Sequence, residues 1–407
     1  MHLLTTSFAA DRRFGGPLPR FMAAALAAGL LGSGFGVSAP AAHAAQPVRV
    51  KIKHHVLVVT GTAASDRIAL RQSATDRQIL EVDVGDNGSA DVRVARERFR
   101  SIRVDARRGD DRVRIDEANG AFAATTPTQI NGQRGNDTLI GGSADTLNGG
   151  EGNDNLSGGS GAETLIGGDG NDVADGNQGA DVAYLGAGDD RFTWDPGDGS
   201  DVVEGQAGHD AMTFNGSNGA ERFDVAANVG RVRFFRDLGN ITMDLDGVEE
   251  IDANALGGAD QLAVGKLAGT DLRTIDTDLA GSGGAADDGS ADQVIILGTN
   301  GPDAISAAGS AGNVSISGLP ARVNVIHAQA AQDRLELDGL DGDDILDGSR
   351  LAADAIQLRA DGGDGNDVLT GGAGADTLLG GAGDDVLNGG PGIDTLDGGA
   401  GNNVVNQ

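Results

Sequence analysis

The chain contains no cysteine among its 407 residues. Disulfides and thiolate metal sites are therefore excluded. Aromatic residues make up only 3%, with one Trp and one Tyr, so a large core built on aromatics is not expected. Proline is scarce at nine residues, which argues against a proline-rich linker. Histidine numbers six, and two of those fall in the first 43 residues. Beyond the N-terminal region, no stretch reaches the roughly 18 apolar residues needed to cross a bilayer. What the chain does have is glycine, 68 residues of it, and a formal net charge of −31. The glycine has no G-X-Y period, so collagen is excluded.

The charge is uneven. Residues 46–130 carry fifteen Lys and Arg against twelve Asp and Glu, whereas residues 131–407 carry twelve against forty-eight. A segment this acidic repels nucleic acid and anionic membrane and attracts cations. The first 44 residues have a different character. Arg12, Arg13 and Arg20 precede an apolar, Ala- and Gly-rich stretch from Phe21 to about Ala39, and Ala42-His43-Ala44 follows as a small-x-small site. That order predicts a secretory signal peptide cleaved after Ala44 and a secreted, extracellular product. Arg12-Arg13 alone is too little for a twin-arginine signal, so Sec-type export is the expectation.

From Asn131 the chain repeats every nine residues. Successive units read GGEGNDNLS from Gly149, GGSGAETLI from Gly158, GGDGNDVAD from Gly167 and GNQGADVAY from Gly176. The pattern returns from Gly362 as GGDGNDVLT, GGAGADTLL, GGAGDDVLN, GGPGIDTLD and GGAGNNVVN. Glycine opposes helix and favours turns, so the first six positions predict a turn. The last three predict a short strand whose middle residue faces inward. The inward set is Leu139, Leu147, Leu156, Leu165, Ala174, Ala183, Phe192 and Val203, then Leu369, Leu378, Leu387, Leu396 and Val405.

A longer period lies on top of the first. The residue before each acid reads Asn136, Ala144, Asn153, Ala162, Asn171, Ala180, Asp189, Ser200. Long polar and small residues alternate, so the structural repeat is 18 residues, with two turns and two strands per coil. Stacking such coils places Asp137, Asp154, Asp172, Asp190 and Asp210 in one column. Asp145, Glu163, Asp181 and Asp201 form another. Carboxylates one strand spacing apart repel by roughly 3 kcal/mol at an effective dielectric near 20. A divalent cation between turns reverses the sign. Ca²⁺ suits an all-oxygen set of carboxylates and turn carbonyls, whereas Zn²⁺ wants Cys and His.

The repeats resemble the RTX (repeats-in-toxin, haemolysin-type) calcium-binding repeats of secreted bacterial proteins, whose nonapeptide is G-G-x-G-x-D-x-U-x with U apolar. The resemblance implies an all-β fold: a right-handed parallel β-roll, or β-solenoid, with several Ca²⁺ ions in the turns. The metal ligands it implies are Asp137, Asp145, Asp154, Glu163, Asp172, Asp181, Asp190, Asp201, Asp210, Asp344, Asp367, Asp376, Asp385 and Asp394. To these it adds the turn glycines Gly150, Gly152, Gly168, Gly170, Gly363, Gly365, Gly381 and Gly383. Glu163 and Asn403 depart from the pattern. The turn Gly141 to Asp145 is one residue short, which predicts strain.

Residues 61–116, 216–264 and 298–346 look like three copies of a wider β module. Each opens on Gly and a hydroxyl (Gly61-Thr62, Gly216-Ser217, Gly298-Thr299), and an acid follows with an apolar residue two further on. Each closes on an acidic turn and strand: GDDRVRI at 109–115, GADQLAV at 258–264 and GDDILDG at 342–348. Alternating stretches such as RVRFF at 231–235 and NVSIS at 313–317 predict half-buried strands. The expected organisation is a signal at 1–44, a β module at 45–130 and a first roll at 131–214. Two further modules follow at 215–348, with a flexible insertion at 281–292, and a second roll occupies 349–407.

No G-x-S-x-G elbow or H-E-x-x-H motif is present, and the glycine motifs lack helical context. The expectation is a non-enzymatic, calcium-binding secreted protein that folds on binding its ions. The alternative is a surface adhesin or matrix protein for which calcium is structural. Its partner would be a glycan or cell surface, met by the basic cluster Arg98, Arg100, Arg103, Arg107, Arg108, Arg112 and Arg114. His54-His55, read as strand residues, face opposite sides and share no metal.

Overall fold

A computed structural model describes residues 47–282 and 288–407. The expected signal peptide lies outside these residues. Among the described residues there is no α-helix, only two single 3₁₀ turns at Arg96–Arg98 and Ala123–Thr125. No helix among the described residues is long and apolar enough to cross a membrane.

The nonapeptides fold as their spacing demands. Thr146–Glu151, Thr164–Asp169 and Val182–Ala187 stack in parallel, Leu147 on Leu165 on Ala183. Asn155–Gly159, Val173–Asn177 and Arg191–Trp194 stack likewise in a second sheet, Leu156 on Ala174 on Phe192. Successive strands thus alternate between two sheets, giving two strands and two turns per 18-residue coil. One sheet holds 17 described strands and the other 18, and the two face each other across a core one side chain deep. This is a parallel β-roll within a longer β-solenoid. Every inward residue from Leu139 to Leu387 is buried. At the last coil the expectation fails. Leu396 is only half-buried and Val405 is 47% exposed, because no described strand stacks beyond Thr395–Asp397 in one sheet or Val404–Asn406 in the other.

The three wider stretches interrupt this climb in the same way. Each sends out one strand and folds back through two antiparallel ones. Arg67–Gln72 is followed by Ile79–Val84 and Val92–Ala95. Arg222–Asn228 is followed by Arg231–Arg236 and Ile241–Asp246. Ala304–Ser310 is followed by Asn313–Ser317 and Arg322–Ile326. The second and third cases displace a strand in the same way. In the second, Val202–Ala207, the last strand of the first roll in its sheet, pairs with Ile241–Asp246 and not with the next strand of that sheet in sequence, Arg222–Asn228. Arg222–Asn228 lies three rungs away and carries Gln261–Val264 on its far side. In the third, Thr274–Asp278 pairs with Arg322–Ile326, and Ala304–Ser310 pairs onward with Ile345–Leu351. The rolls and the wider stretches form one continuous ribbon pair.

Two local expectations change. His54-His55 are not strand residues; they form the two-residue turn between Arg49–Lys53 and Val56–Thr60, with φ of +50° and +64°. Of the expected flexible insertion at 281–292, residues 283–287 lie outside the described residues, while the residues after them are held in place. Asp288 accepts the Gly258 N–H at 2.8 Å, and Asp292 is buried in a column of acids.

Where the first roll meets the second module, the few aromatics gather. Trp194 stacks on Phe214 with centroids 4.1 Å apart, and Phe223 and Phe234 pack on Phe214. Arg236 lies over the Trp194 ring, 5.1 Å from its centroid, and forms a buried ion pair with Glu221.

Candidate metal centres

Each nonapeptide turn is held by its neighbours. Gly152 has φ +127°, and a Cβ there would sit 2.2 Å from the Gly135 carbonyl oxygen of the coil below. No other residue fits such a contact, since both the left-handed backbone and the missing side chain are needed. The other predicted turn glycines, Gly150, Gly168, Gly170, Gly363, Gly365, Gly381 and Gly383, also have φ between +95° and +151°. The short turn before Asp145 is completed by Ala144 in the left-handed region at φ +59°, a conformation uncommon for a residue with a Cβ.

The acids form columns. The backbone N–H of Asp137 donates to Asp154 Oδ1, that of Asp154 to Asp172, that of Asp172 to Asp190 and that of Asp190 to Asp210, at 2.7 to 2.9 Å. On the opposite edge Glu163 N–H donates to Asp181, and Asp181 N–H to Asp201. In the second roll Asp344 donates to Asp367, Asp367 to Asp385 and Asp376 to Asp394.

These bonds use one oxygen of each carboxylate; at Asp145 the bonded oxygen instead accepts the Gly142 N–H of its own turn. The other is buried without any hydrogen-bond partner at Asp137, Asp145, Asp154, Asp172, Asp181, Asp190, Asp201, Asp210, Asp344, Asp367, Asp385 and Asp394. Such an oxygen is costly unless something positive meets it. Asn403 shows what that oxygen faces. It occupies the acid's position in the last turn, and its Oδ1 accepts the Asp385 N–H as an aspartate would. Its Nδ2 donates to the carbonyls of Gly398 and Gly399. In the aspartate turns an acceptor stands where this donor stands, against the first glycine of its own turn. Oxygen against oxygen calls for a cation.

Two predicted ligands differ. Glu163 reaches further, and its carboxylate accepts the N–H groups of Ala144, Gly159 and Gly161. Asp376 accepts the Gly372 N–H at 2.7 Å through Oδ2. Neither has an orphaned buried oxygen.

The electrostatics agree with a missing positive charge. Burial pushes Asp154 up to about 7, Asp172 to about 6 and Asp201 to about 7, and a neighbouring aspartate adds to each rise. The hydrogen bond from the preceding backbone N–H offsets part of it. Every donor here is oxygen, so the set fits a hard cation such as Ca²⁺ and not Zn²⁺.

Sequence reading missed the reason for the alternation before the acids. Asn153 N–H donates to Asn136 Oδ1, Asn171 N–H to Asn153, Asp189 N–H to Asn171 and His209 N–H to Asp189. This second ladder exists on one edge only. The other edge carries Ala162 and Ala180. Elsewhere, Glu250, Asp252 and Asp276 approach one another on an outer face. Asp252 is paired there with Arg191, and Asp276 accepts from Asn324.

The arrangement defines a class, a parallel β-roll whose turns present stacked carboxylates to cations. The sequence profile of the RTX calcium-binding nonapeptide repeat matches residues 128–156, 157–192, 197–220, 361–396 and 379–406. These segments are thus RTX calcium-binding repeats, and such repeats bind several Ca²⁺ ions. No curated protein matches the chain.

Proposed function

We propose that the chain is exported, that its ions are held in the turns by the orphaned aspartates, and that their binding completes the fold. The observation that carries this reading is the run of buried carboxylate oxygens without partners, stacked one per turn. Metal-free, the ionised column opposes its own packing. With Ca²⁺ bound, the same oxygens gain the cation they lack, and binding to the native state alone is folding free energy. The acids work as ligands and not as catalysts in this reading. Each is buried, with one oxygen fixed by a backbone N–H, an arrangement that suits a ligand held inside the fold. The orphaned oxygens support ions at Asp137, Asp154, Asp172, Asp190 and Asp210 on one edge, at Asp145, Asp181 and Asp201 on the other, and at Asp344, Asp367, Asp385 and Asp394 in the second roll. The basic, apolar and small-residue order of residues 1–44 supports export, and calcium-dependent folding suits a chain that becomes compact only outside a calcium-poor cytoplasm. The test is far-UV circular dichroism of residues 45–407 during a calcium titration from excess chelator. A rise in β signal that saturates is expected. A full native spectrum in chelator, unchanged by calcium, would overturn the reading.

A further inference from the structure

The acid columns do not stop where the nonapeptides stop. Asp66 N–H donates to Asp111 Oδ1 at 2.6 Å, and Asp111 N–H donates to Asp137 at 2.7 Å. In the second module Glu221 N–H donates to Asp260 Oδ1 at 2.8 Å, and Asp260 N–H donates to Asp292 at 2.8 Å. Asp111 is 2% exposed and Asp260 is 4% exposed, and in each Oδ2 is buried with no partner. Both lie outside the segments that match the repeat profile.

A second observation is independent of the side chains. In the repeat turns ending at Asp154 and Asp172, the residues four and two before the acid are left-handed: Gly150 and Gly152, then Gly168 and Gly170. The turn before Asp111 has the same two left-handed positions, Arg107 at φ +93° and Gly109 at +107°. The turn before Asp260 has them at Leu256, φ +71°, and Gly258, +124°. Arg and Leu enter this region only at a steric cost. The backbone of the metal turn is kept although glycine has gone from its first left-handed position. Gln133, Gln206 and Leu340 take the same left-handed position before Asp137, Asp210 and Asp344.

Other acids in the same modules give the contrast. Asp66, Glu221 and Asp303 have no left-handed pair before them. Their carboxylates instead accept the N–H and the hydroxyl of Thr62, Ser217 and Thr299, four residues earlier. Each module therefore opens on an acid satisfied by its own turn and closes on an acid with an orphaned oxygen: Asp111, Asp260 and, in the third copy, Asp344.

We infer that Asp111 and Asp260 each hold a further divalent cation of the Ca²⁺ type, so that ion binding extends into the modules on either side of the first roll. This rests on the calcium-binding reading above. The test compares the calcium stoichiometry of residues 45–407 with those of Asp111→Asn, Asp260→Asn and the double variant, by equilibrium dialysis against Ca²⁺ alone. Asn403 is the precedent for these changes, since an amide at this position keeps the inter-coil bond and satisfies the turn carbonyls. Each single variant is expected to lose about one ion and the double variant about two. The β signal and Trp194 emission should stay unchanged at saturating calcium. A full ion count in the double variant, with the unsubstituted chain binding several ions, would overturn this inference alone. An unsubstituted chain that binds no calcium would overturn the reading beneath it. Crystals of the unsubstituted chain grown in calcium give a check that needs no variant. Anomalous density within about 2.3–2.6 Å of Asp111 Oδ2 and Asp260 Oδ2 supports the sites, and density of water alone overturns them.

Discussion

Asn153 and Asp154 are consecutive residues whose side chains hold opposite neighbours. Asn153 Oδ1 accepts the N–H of Asn171 from one adjacent coil, at 2.9 Å. Asp154 Oδ1 accepts the N–H of Asp137 from the other, at 2.7 Å. One edge of the roll is therefore stitched in both directions at every coil. The other edge, with Ala162 and Ala180 before its acids, has no such second ladder.

Calcium removal should make the rolls sensitive to pH in an unusual direction. The column aspartates have an ordinary value of 3.8, and the fold raises Asp154 to about 7 and Asp172 to about 6. A carboxyl whose folded value is raised binds its proton more tightly when folded. Its contribution to the metal-free fold is thus fully present below about pH 4 and is lost as pH climbs through 6 to 7. In excess chelator the β signal should be larger at pH 4.5 than at pH 8. Millimolar calcium should remove that difference. A chelated chain more ordered at pH 8 would contradict this sign.

Asp172→Ala should weaken calcium binding more than Glu163→Ala. Asp172 lies mid-column with an orphaned oxygen, whereas Glu163 spends its carboxylate on three backbone N–H groups of its own edge. Isothermal titration should show a lost ion for the first variant. For the second it should show a nearly unchanged count and a lower thermal midpoint. Equal losses would mean that the orphaned oxygens do not mark the ions.

Leu378→Asp should disrupt the second roll even in saturating calcium. Leu378 is buried between Ala360 and Leu396, its partners along the sheet, and an unpaired carboxylate there costs several kcal/mol. Thr377→Asp should be mild, since that side chain points outward. Val405→Asp should also be mild, although Val405 holds the same repeat position, because it is 47% exposed. Limited proteolysis of residues 361–407 would rank the three, and rapid cleavage of the Thr377 variant with a protected Leu378 variant would reverse the strand phase.

Arg236→Met should destabilise the junction by about 3 kcal/mol, the low end for breaking a buried pair. Glu221 would be left buried with only Ser217 as a donor. Urea unfolding in calcium, followed through Trp194, would measure it. Adding Glu221→Gln to the same chain should recover part of the loss.

The strand phase was legible because each three-residue strand has one apolar middle residue, and the turn acids because glycine spacing isolates them. Exposure of Val405 was not legible, since it depends on whether another coil follows and not on its own nonapeptide. The turns at Asp111 and Asp260 were legible as module ends, but both stand apart from any run of nonapeptides, and nothing in the sequence marked their acids as ligands. The modules' alternation announced strands at 231–235 and 313–317. It carried no information on pairing partners, because either neighbour in a sheet presents the same apolar face. His54-His55 carried no turn residue of the usual Gly or Asn type, and their turn is imposed by the pairing of Val50 with Val59 and Ile52 with Leu57.

The displaced strand Arg222–Asn228 bears on the order in which the molecule can be built. A plain roll can grow as the chain lengthens, each new coil resting on the finished one. At this junction the next strand of that sheet lands with two vacant rungs beneath it, and Arg231–Arg236 and Ile241–Asp246 must return to fill them. Nothing on that side of the gap can rest on the first roll until residue 246 is in place. Non-local pairing of this kind is slow to form. Zippering from the first roll therefore halts at the aromatic junction, and zippering from the second meets a like gap beyond Ala304–Ser310, where Arg322–Ile326 must return to pair with Thr274–Asp278.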